Sequence, residues 1–357
     1  MPLRRYDLSI ENPSAPSADL PLGADVSLRD IARLAGVSVS TVSRVINQAG
    51  MVTPAKLKAV GEVLSRFSYI PNNAARALIK RRSLTIGLIV PTMANPLFVP
   101  AIEAIEEALG AAGYGLLVAC SNRDRDREFE QTRTMLERGV DGMILTGPSH
   151  RHDLLPMIHS KGVATVFQDC ASAYSMSVSI AMQDAAAMAL AIDTLVHRGH
   201  RRIAVLTGPT GNTPPVAERV RSAIDRLAKH GIPIGPGDIE ETPDYEAATA
   251  RAAVRRLLDR QRGYTAIACT GDILALGAIM EIRHAGLAVP HDISIIGCSD
   301  SPMAQYVDPP LTTIHLPYRY MGEVAAKHLL SSLNGGAPNG PHYLDFHLVE
   351  RASVRTL

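Results

Sequence analysis

From Ser83 to the C-terminus, short apolar runs alternate with alanine-rich amphipathic stretches, and no other feature of these 357 residues restricts the fold as tightly. "LTIGLIVP", "YGLLVAC", "DGMILTG" and "ATVFQD" read as strands, while "FVPAIEAIEEALGAAG" and "REFEQTRTMLERG" carry helical spacing. Strands buried on both faces read as uninterrupted apolar runs, and their alternation with helices implies βαβ units in a mostly parallel sheet. A second series runs from "AAAMALAIDTLVHRGH" and "RRIAVLTG" through "YTAIACTG" to "DISIIGCSD". Two series predict two similar α/β lobes, which also suits a chain too long for one core. No GxGxxG follows a strand ("GYG" at 113–115 precedes one), so a dinucleotide fold is poorly supported.

The net charge of +1 hides a strong asymmetry. Residues 26–82 hold ten Lys and Arg against Asp30 and Glu62, a balance of +8, while residues 1–25 carry −2 and the remainder −5. A small basic module on a mildly acidic body is the electrostatic footprint of nucleic-acid binding, because neutralising phosphates releases counterions. Within the module, Ser27 to Asp30 fits a capping box opening "LRDIARLAG", with Gly36 as its stop. Ser38 then caps a second helix in which Val39, Val42, Val45 and Ile46 recur at three- and four-residue spacing. That register leaves Ser40, Thr41, Ser43, Arg44 and Asn47 facing outward. Thr53 and Pro54 start a third helix, so the expected unit is a helix-turn-helix whose second helix enters the major groove.

"SLRDIARLAGVSVSTVSRVIN", followed by "YIPN" and "ARAL", resembles the DNA-binding end of the LacI/GalR family of bacterial transcriptional regulators. "GHRRIAVLTGP", "ALGAIMEIRHAGLAVPHDISIIG" and "DPPLTTIHLPY" resemble that family's effector-binding core, so the likeness extends from about Val26 to the C-terminus. The resemblance implies an all-α helix-turn-helix DNA-binding domain plus an α/β two-lobed effector domain. The latter has periplasmic-binding-protein-like (type I) architecture with parallel sheets and three crossover segments. The expected divisions are a disordered leader at 1–25, the DNA-binding domain at 26–71, a hinge helix and linker at 72–82, and the effector and dimerisation domain at 83–357. Its N-lobe is expected at 83–180 plus 317–342, and its C-lobe at 181–316 plus 343–357.

By the same resemblance Ser40, Thr41 and Arg44 meet base edges, while Ser43, Asn47, Tyr69 and Asn73 contact or position phosphates. The segment "NNAARALIKRRS" matches a hinge helix that folds only on operator DNA and inserts a leucine, here Leu78, into the minor groove. Such a wedge unstacks a base step and bends the duplex. Positions matching the family's ligand contacts are Phe98, Thr146, Asp169, Arg219, Ser299 and Tyr318. Several positions depart from the family's pattern. Gly271 replaces the usual asparagine, "GCSD" replaces "GxDD" so that Ser299 stands for a carboxylate, and Gln183-Asp184 stands where Asp-Asn is common. Ser222 and Ala223 likewise replace a glycine and an aromatic. A pocket with fewer acceptor oxygens suits a sugar or sugar acid, a less hydroxylated molecule, or an anion drawn by Arg219.

The expected function is a repressor acting on near-palindromic double-stranded operator DNA, with affinity set by a small effector between the lobes. The family's tetramerising leucine heptad does not occur before Leu357, so a homodimer is expected. An α/β enzyme or a periplasmic-type binding protein would be the alternatives. No GxSxG, P-loop or HExxH is present, and His197 and His200 read as structural at a helix end, so neither catalysis nor a cofactor is expected. Cys120, Cys170, Cys269 and Cys298 lack metal spacing and read as small hydrophobes. No apolar run is long enough to span a membrane and no secretory h-region is present, which places the expected protein in the cytoplasm.

Overall fold

The computed structural model describes residues 26–47, 50, 52–69, 82–171, 177–337 and 341–357. The chain divides into two units, Met1–Ile79 and Lys80–Leu357. The expected leader lies outside the described residues, as does the expected hinge segment with Asn73 and Leu78. Arg82, the last linker residue, is described, and its guanidinium donates to the Leu333 carbonyl at 2.8 Å.

In the first unit, helices α1 (Leu28–Leu34), α2 (Val39–Ile46) and α3 (Pro54–Arg66) enclose Val26, Ile31, Ala32, Val42 and Val60. Helices of seven and eight residues are too short to persist alone, so their ends and their shared core hold them. At α1 the Asp30 amide donates to Ser27 Oγ at 3.3 Å and the Ser27 amide donates back to Asp30 Oδ2 at 3.1 Å. Gly36, at φ +64°, then supplies the left-handed step that turns the chain into α2.

The second unit contains two six-stranded sheets. The first is built from β1 (Thr85–Val90), β2 (Gly115–Cys120), β3 (Gly142–Thr146), β4 (Ala164–Gln168), β5 (Val178–Ala181) and β11 (His342–Tyr343). They lie in the order β11-β5-β4-β3-β1-β2, all parallel. The second has β6 (Ile203–Thr207), β7 (Ile239–Glu241), β8 (Ala266–Cys269), β9 (Ser294–Ser299), β10 (Thr312–His315) and β12 (His347–Val349). Its order is β12-β10-β9-β8-β6-β7, parallel except where β12 pairs antiparallel with β10. The chain passes between sheets three times, at Ala181 to Asp184, His315 to Tyr318, and Tyr343 to His347.

Helices cover the sheets: α4 (Val99–Ala111), α5 (Arg125–Glu137), α6 (Leu154–Ser160) and α11 (Tyr318–Leu333) the first, and α7 (Asp184–His197), α8 (Pro214–Lys229), α9 (Ala247–Asp259) and α10 (Asp272–His284) the second. β1, β3 and β4 are buried almost end to end, as continuous apolar runs require. Cys170, Cys269 and Cys298 are buried and Cys120 is half-buried. His200 is fully buried, facing Thr265 Oγ1 at 3.0 Å and the Arg355 carbonyl at 3.1 Å, so it ties the C-terminal segment to the sheet. The His197 ring meets His230 edge-on.

α11 returns from the second sheet to pack on α4 through Gly322, where a Cβ would overlap the carbonyl oxygen of Ala101 and come within 2.9 Å of its Cα. Backbone cannot yield there as a side chain would. Gly322→Ala should therefore destabilise the second unit by about 1–3 kcal/mol, measured by urea unfolding, despite alanine's better helix propensity.

Candidate functional site

The first unit presents its second helix through a hydroxyl cluster. Ser38 Oγ accepts from the Thr41 amide at 3.3 Å and lies 2.8 Å from Ser40 Oγ and 2.9 Å from Thr41 Oγ1. Ser40 and Arg44, one turn apart, are exposed. Asn47 Nδ2 donates to the Ser43 carbonyl at 2.8 Å and to Ser43 Oγ at 3.3 Å, which fixes both side chains at the end of α2. Tyr69 packs half-buried against the core of this unit.

Two positions differ from the register expected of α2. Thr41 is only 7% exposed and faces the core beside Val42, whereas Val39 is 41% exposed. The cause is the cap: Ser38 draws Thr41 inward by hydrogen bonds, so the buried stripe of α2 starts at Thr41–Val42 rather than at Val39. Val39 thus joins Ser40 and Arg44 on the outer surface, a placement that periodicity alone missed.

In the second unit the carboxyl ends of the strands border a cavity of about 330 Å³. Ligands of open α/β sheets bind in this location. Phe98 follows β1, Asp169 follows β4, Ser299 ends β9, Arg219 lies in α8 after β6, and Tyr318 opens α11 after β10. All five line the cavity, and the Phe98 and Tyr318 rings meet edge-on at 6.0 Å. Thr146 does not line it. It lies in an adjoining space of about 70 Å³, where its Oγ1 accepts from Gln168 Nε2 at 2.9 Å. Asp169 holds φ +57° and Ser299 φ +148°, uncommon conformations for side-chain-bearing residues that gather here at the strand ends.

Arg219 is 3% exposed because it occupies the buried stripe of α8 with Val216, Ala223 and Leu227. A buried guanidinium must be answered locally. Its Nε donates to Asp184 Oδ1 at 2.6 Å, Nη2 reaches the same oxygen at 2.6 Å, and Nη1 donates to the Thr270 carbonyl at 2.7 Å. Asp184 is the first residue of α7, where a helix N-terminus favours an anion. The sequence showed Asp184 only as a departure from the family's pattern, and two further residues came without warning. Tyr245 fills space left by Gly208, whose Cβ would come within 2.6 Å of the Tyr245 ring, and its hydroxyl is buried without a partner. Arg123 lies over the Tyr245 ring at 5.3 Å. Asp272, by contrast, is occupied: Oδ1 accepts from Thr313 Oγ1 and Oδ2 from the Ser301 amide, each at 2.6 Å. Among the described residues no group of three His, Cys, Asp or Glu could hold a metal ion.

Asp169 is 8% exposed and its Oδ1 has no hydrogen-bond partner. Burial first, and then the charge of Asp184, push its carboxyl up to about 7 against the pull of Arg219. Because this folded-state value lies above the ordinary 3.8, the folded protein binds the extra proton between those limits. Stability from this group is therefore lost as pH rises from about 4 through 7, by at most about 1.4 kcal/mol per pH unit. Urea unfolding at stepped pH should show that slope flatten in Asp169→Asn. Arg219→Ala leaves Asp184 without its cation and should cost about 3–5 kcal/mol by the same measurement.

Residues 27–72 match the model of the bacterial regulatory proteins of the lacI family, and residues 192–354 match the periplasmic binding protein-like domain. The chain is 32% identical over 308 residues to the HTH-type transcriptional repressor PurR of Aliivibrio salmonicida, covering 86% of this chain and 92% of that one. It is 33% identical over 307 residues to the ribose operon repressor of Escherichia coli, covering 85% and 92%. The solved structure of the lac repressor dimer bound to operator and an anti-inducer superposes with a TM-score of 0.81 at 29% identity, covering 92% of this chain and 99% of that one. No helix among the described residues is long and apolar enough to cross a membrane. With a helix-turn-helix unit, a two-sheet body and relatives a third identical along nearly their whole length, the chain belongs to the LacI family of bacterial regulatory proteins.

Proposed function

We propose that this LacI-family transcriptional regulator represses as a homodimer, with Val39, Ser40 and Arg44 reading base edges in the major groove. The observation that carries this reading is the outer edge of α2, where these three side chains stand exposed on a basic unit. Arg44 is long enough for the bidentate pairing that identifies guanine, and a valine side chain offers apolar contact to a thymine methyl. Ser43, Asn47 and Tyr69 serve to position the backbone, with Thr41 acting indirectly by fixing the start of α2. Asn73 and Leu78, outside the described residues, complete the interface by phosphate contact and minor-groove insertion. The homodimer is supported by the dimeric lac repressor and by the two half-sites of a near-palindromic operator.

The cleft lined by Phe98, Asp169, Arg219, Ser299 and Tyr318 takes the effector, a sugar or sugar-derived metabolite in the reading that the ribose operon relative supports. Thr146 contributes from the adjoining space. The effector changes operator affinity only through its differential affinity for two lobe arrangements. Site chemistry of this kind requires no catalytic group, and the protein acts on the chromosome in the cytoplasm rather than as an enzyme.

The test begins with in vitro selection from random duplexes, followed by fluorescence anisotropy on the recovered site. Arg44→Ala should lose about 1–3 kcal/mol and its preference at one base pair per half-site. Unchanged preference would remove Arg44 from base readout. Leu78→Ala should weaken the same complex without altering the Tm of the protein, and equal affinity would exclude the wedge.

A further inference from the structure

The three crossovers all leave from one end of the sheets. β11 and β5 lie together at one end of the first sheet, β12 and β10 at one end of the second, and β2 and β7 close the opposite ends. With neighbouring strands about 4.8 Å apart, those opposite ends stand about 20 Å from the crossovers. Rotating one lobe on the other about the crossovers therefore moves the far rim of the cleft by about 0.35 Å per degree. Arg123 follows β2 and Tyr245 follows β7, so each stands at that rim on a different lobe, and both line the cavity.

Tyr245 is seated in its own lobe, because its ring lies against Gly208, after β6, where any Cβ would overlap it. Arg123 is half-buried and reaches that ring from the other lobe, its guanidinium carbon 5.3 Å from the centroid. Asn122 at φ +54° and Arg123 at φ +59° make a left-handed turn after β2, an uncommon conformation for two successive residues with side chains. The acids beside Arg123 in sequence are engaged elsewhere. Asp124 Oδ1 accepts from the Asp126 and Arg127 amides to cap α5, and Asp126 Oδ1 accepts from Arg151 Nη1 at 2.9 Å. Cation–π attraction extends to about 6 Å from a ring centroid, so about two degrees of opening carries Arg123 out of range. Contacts of Tyr318, the first residue after its crossover, move far less for the same rotation. We propose that Arg123 and Tyr245 form a clasp at the rim that holds the two lobes closed over the cavity. The clasp belongs to the two-lobed body and does not depend on which ligand fills the cleft.

Interlobe distances test the clasp on the ligand-free, full-length chain. Spin labels at Arg127→Cys in α5 and Ala248→Cys in α9, both exposed positions near the rim, are read by double electron–electron resonance. Cys120→Ser removes the half-buried thiol, and labelled chains are diluted into unlabelled ones so that each distance lies within one chain. Arg123→Ala and Arg123→Gln should each lower the ratio of short to long distances about three- to tenfold. Tyr245→Leu should do the same. Tyr245→Phe, which keeps the ring, and Arg125→Ala, which removes a neighbouring charge, should leave the ratio unchanged. Should Tyr245→Leu misfold by far-UV circular dichroism, Tyr245→Phe and the two Arg123 variants decide. An unchanged ratio in Arg123→Ala overturns the clasp. A wild-type ratio in Arg123→Gln, or a fall in Tyr245→Phe or Arg125→Ala as large as that in Arg123→Ala, overturns the pairing of cation with ring as its cause.

Discussion

The ion pair between Arg219 and Asp184 sets the terms for everything at the cleft. A guanidinium on the buried stripe of α8 is tolerable only because a carboxylate lies 2.6 Å away at the N-terminus of α7 and a carbonyl receives a further donor. The pair fastens α7, α8 and the loop after β8 into one block at the mouth of the second sheet. It also decides the electrostatics seen by a ligand. With its charge cancelled inside the protein, Arg219 shapes the cavity without presenting a free cation, and Asp169 Oδ1 and the Tyr245 hydroxyl remain as buried atoms without hydrogen-bond partners. The negative charge of Asp184, so necessary to Arg219, is one of the reasons that Asp169 holds its proton to about 7.

The first unit solves a different problem, which is to keep short helices in place while leaving one edge free. Seven- and eight-residue helices gain little from propensity, and α2 is rich in serine and valine, which gain less than most. Capping by Ser27 and Ser38 and a core of five buried aliphatic side chains provide what propensity does not. The same serine that caps α2 also rotates its buried stripe by drawing Thr41 inward, so stability and the choice of exposed residues follow from one side chain. Short hydroxyls and a valine on the free edge keep the helix slim enough for close approach to a groove.

Much of this was legible in the sequence where periodicity and burial coincide. The parallel strands were readable because strands covered on both faces cannot alternate, and the capping box at Ser27 and the cap at Ser38 were readable because their chemistry is local. Arg219 was legible at the cleft through the family resemblance, although its burial on the stripe of Val216, Ala223 and Leu227 was not. The partner itself was not, because Asp184 lies 35 positions away and only the packing of α7 on α8 brings the two together. Tyr245 escaped for a similar reason: its place depends on the missing side chain of Gly208. Thr146 was assigned to the cavity by its match to the family's ligand contacts, yet a motif match does not tell which of two adjoining spaces a side chain enters. Val39 and Thr41 were exchanged because the first turn of a helix takes its direction from the cap rather than from the period.

Cleft and crossovers are joined in a way that bears on how a ligand does work. Asp184 is the first helical residue after the crossover that leaves β5, and Tyr318 is the first after the crossover that leaves β10. Both therefore stand at the points where the chain changes lobe, and both face Arg219 and Asp169. A ligand contacting this cluster would touch the segments that join the two lobes, which is where a contact can differ between lobe arrangements. Such a difference is the condition for control, which is differential affinity rather than tight binding. Asp169 and Tyr318 are also deeply buried. Burial is the largest influence on each of them, raising both the Asp169 carboxyl and the Tyr318 hydroxyl.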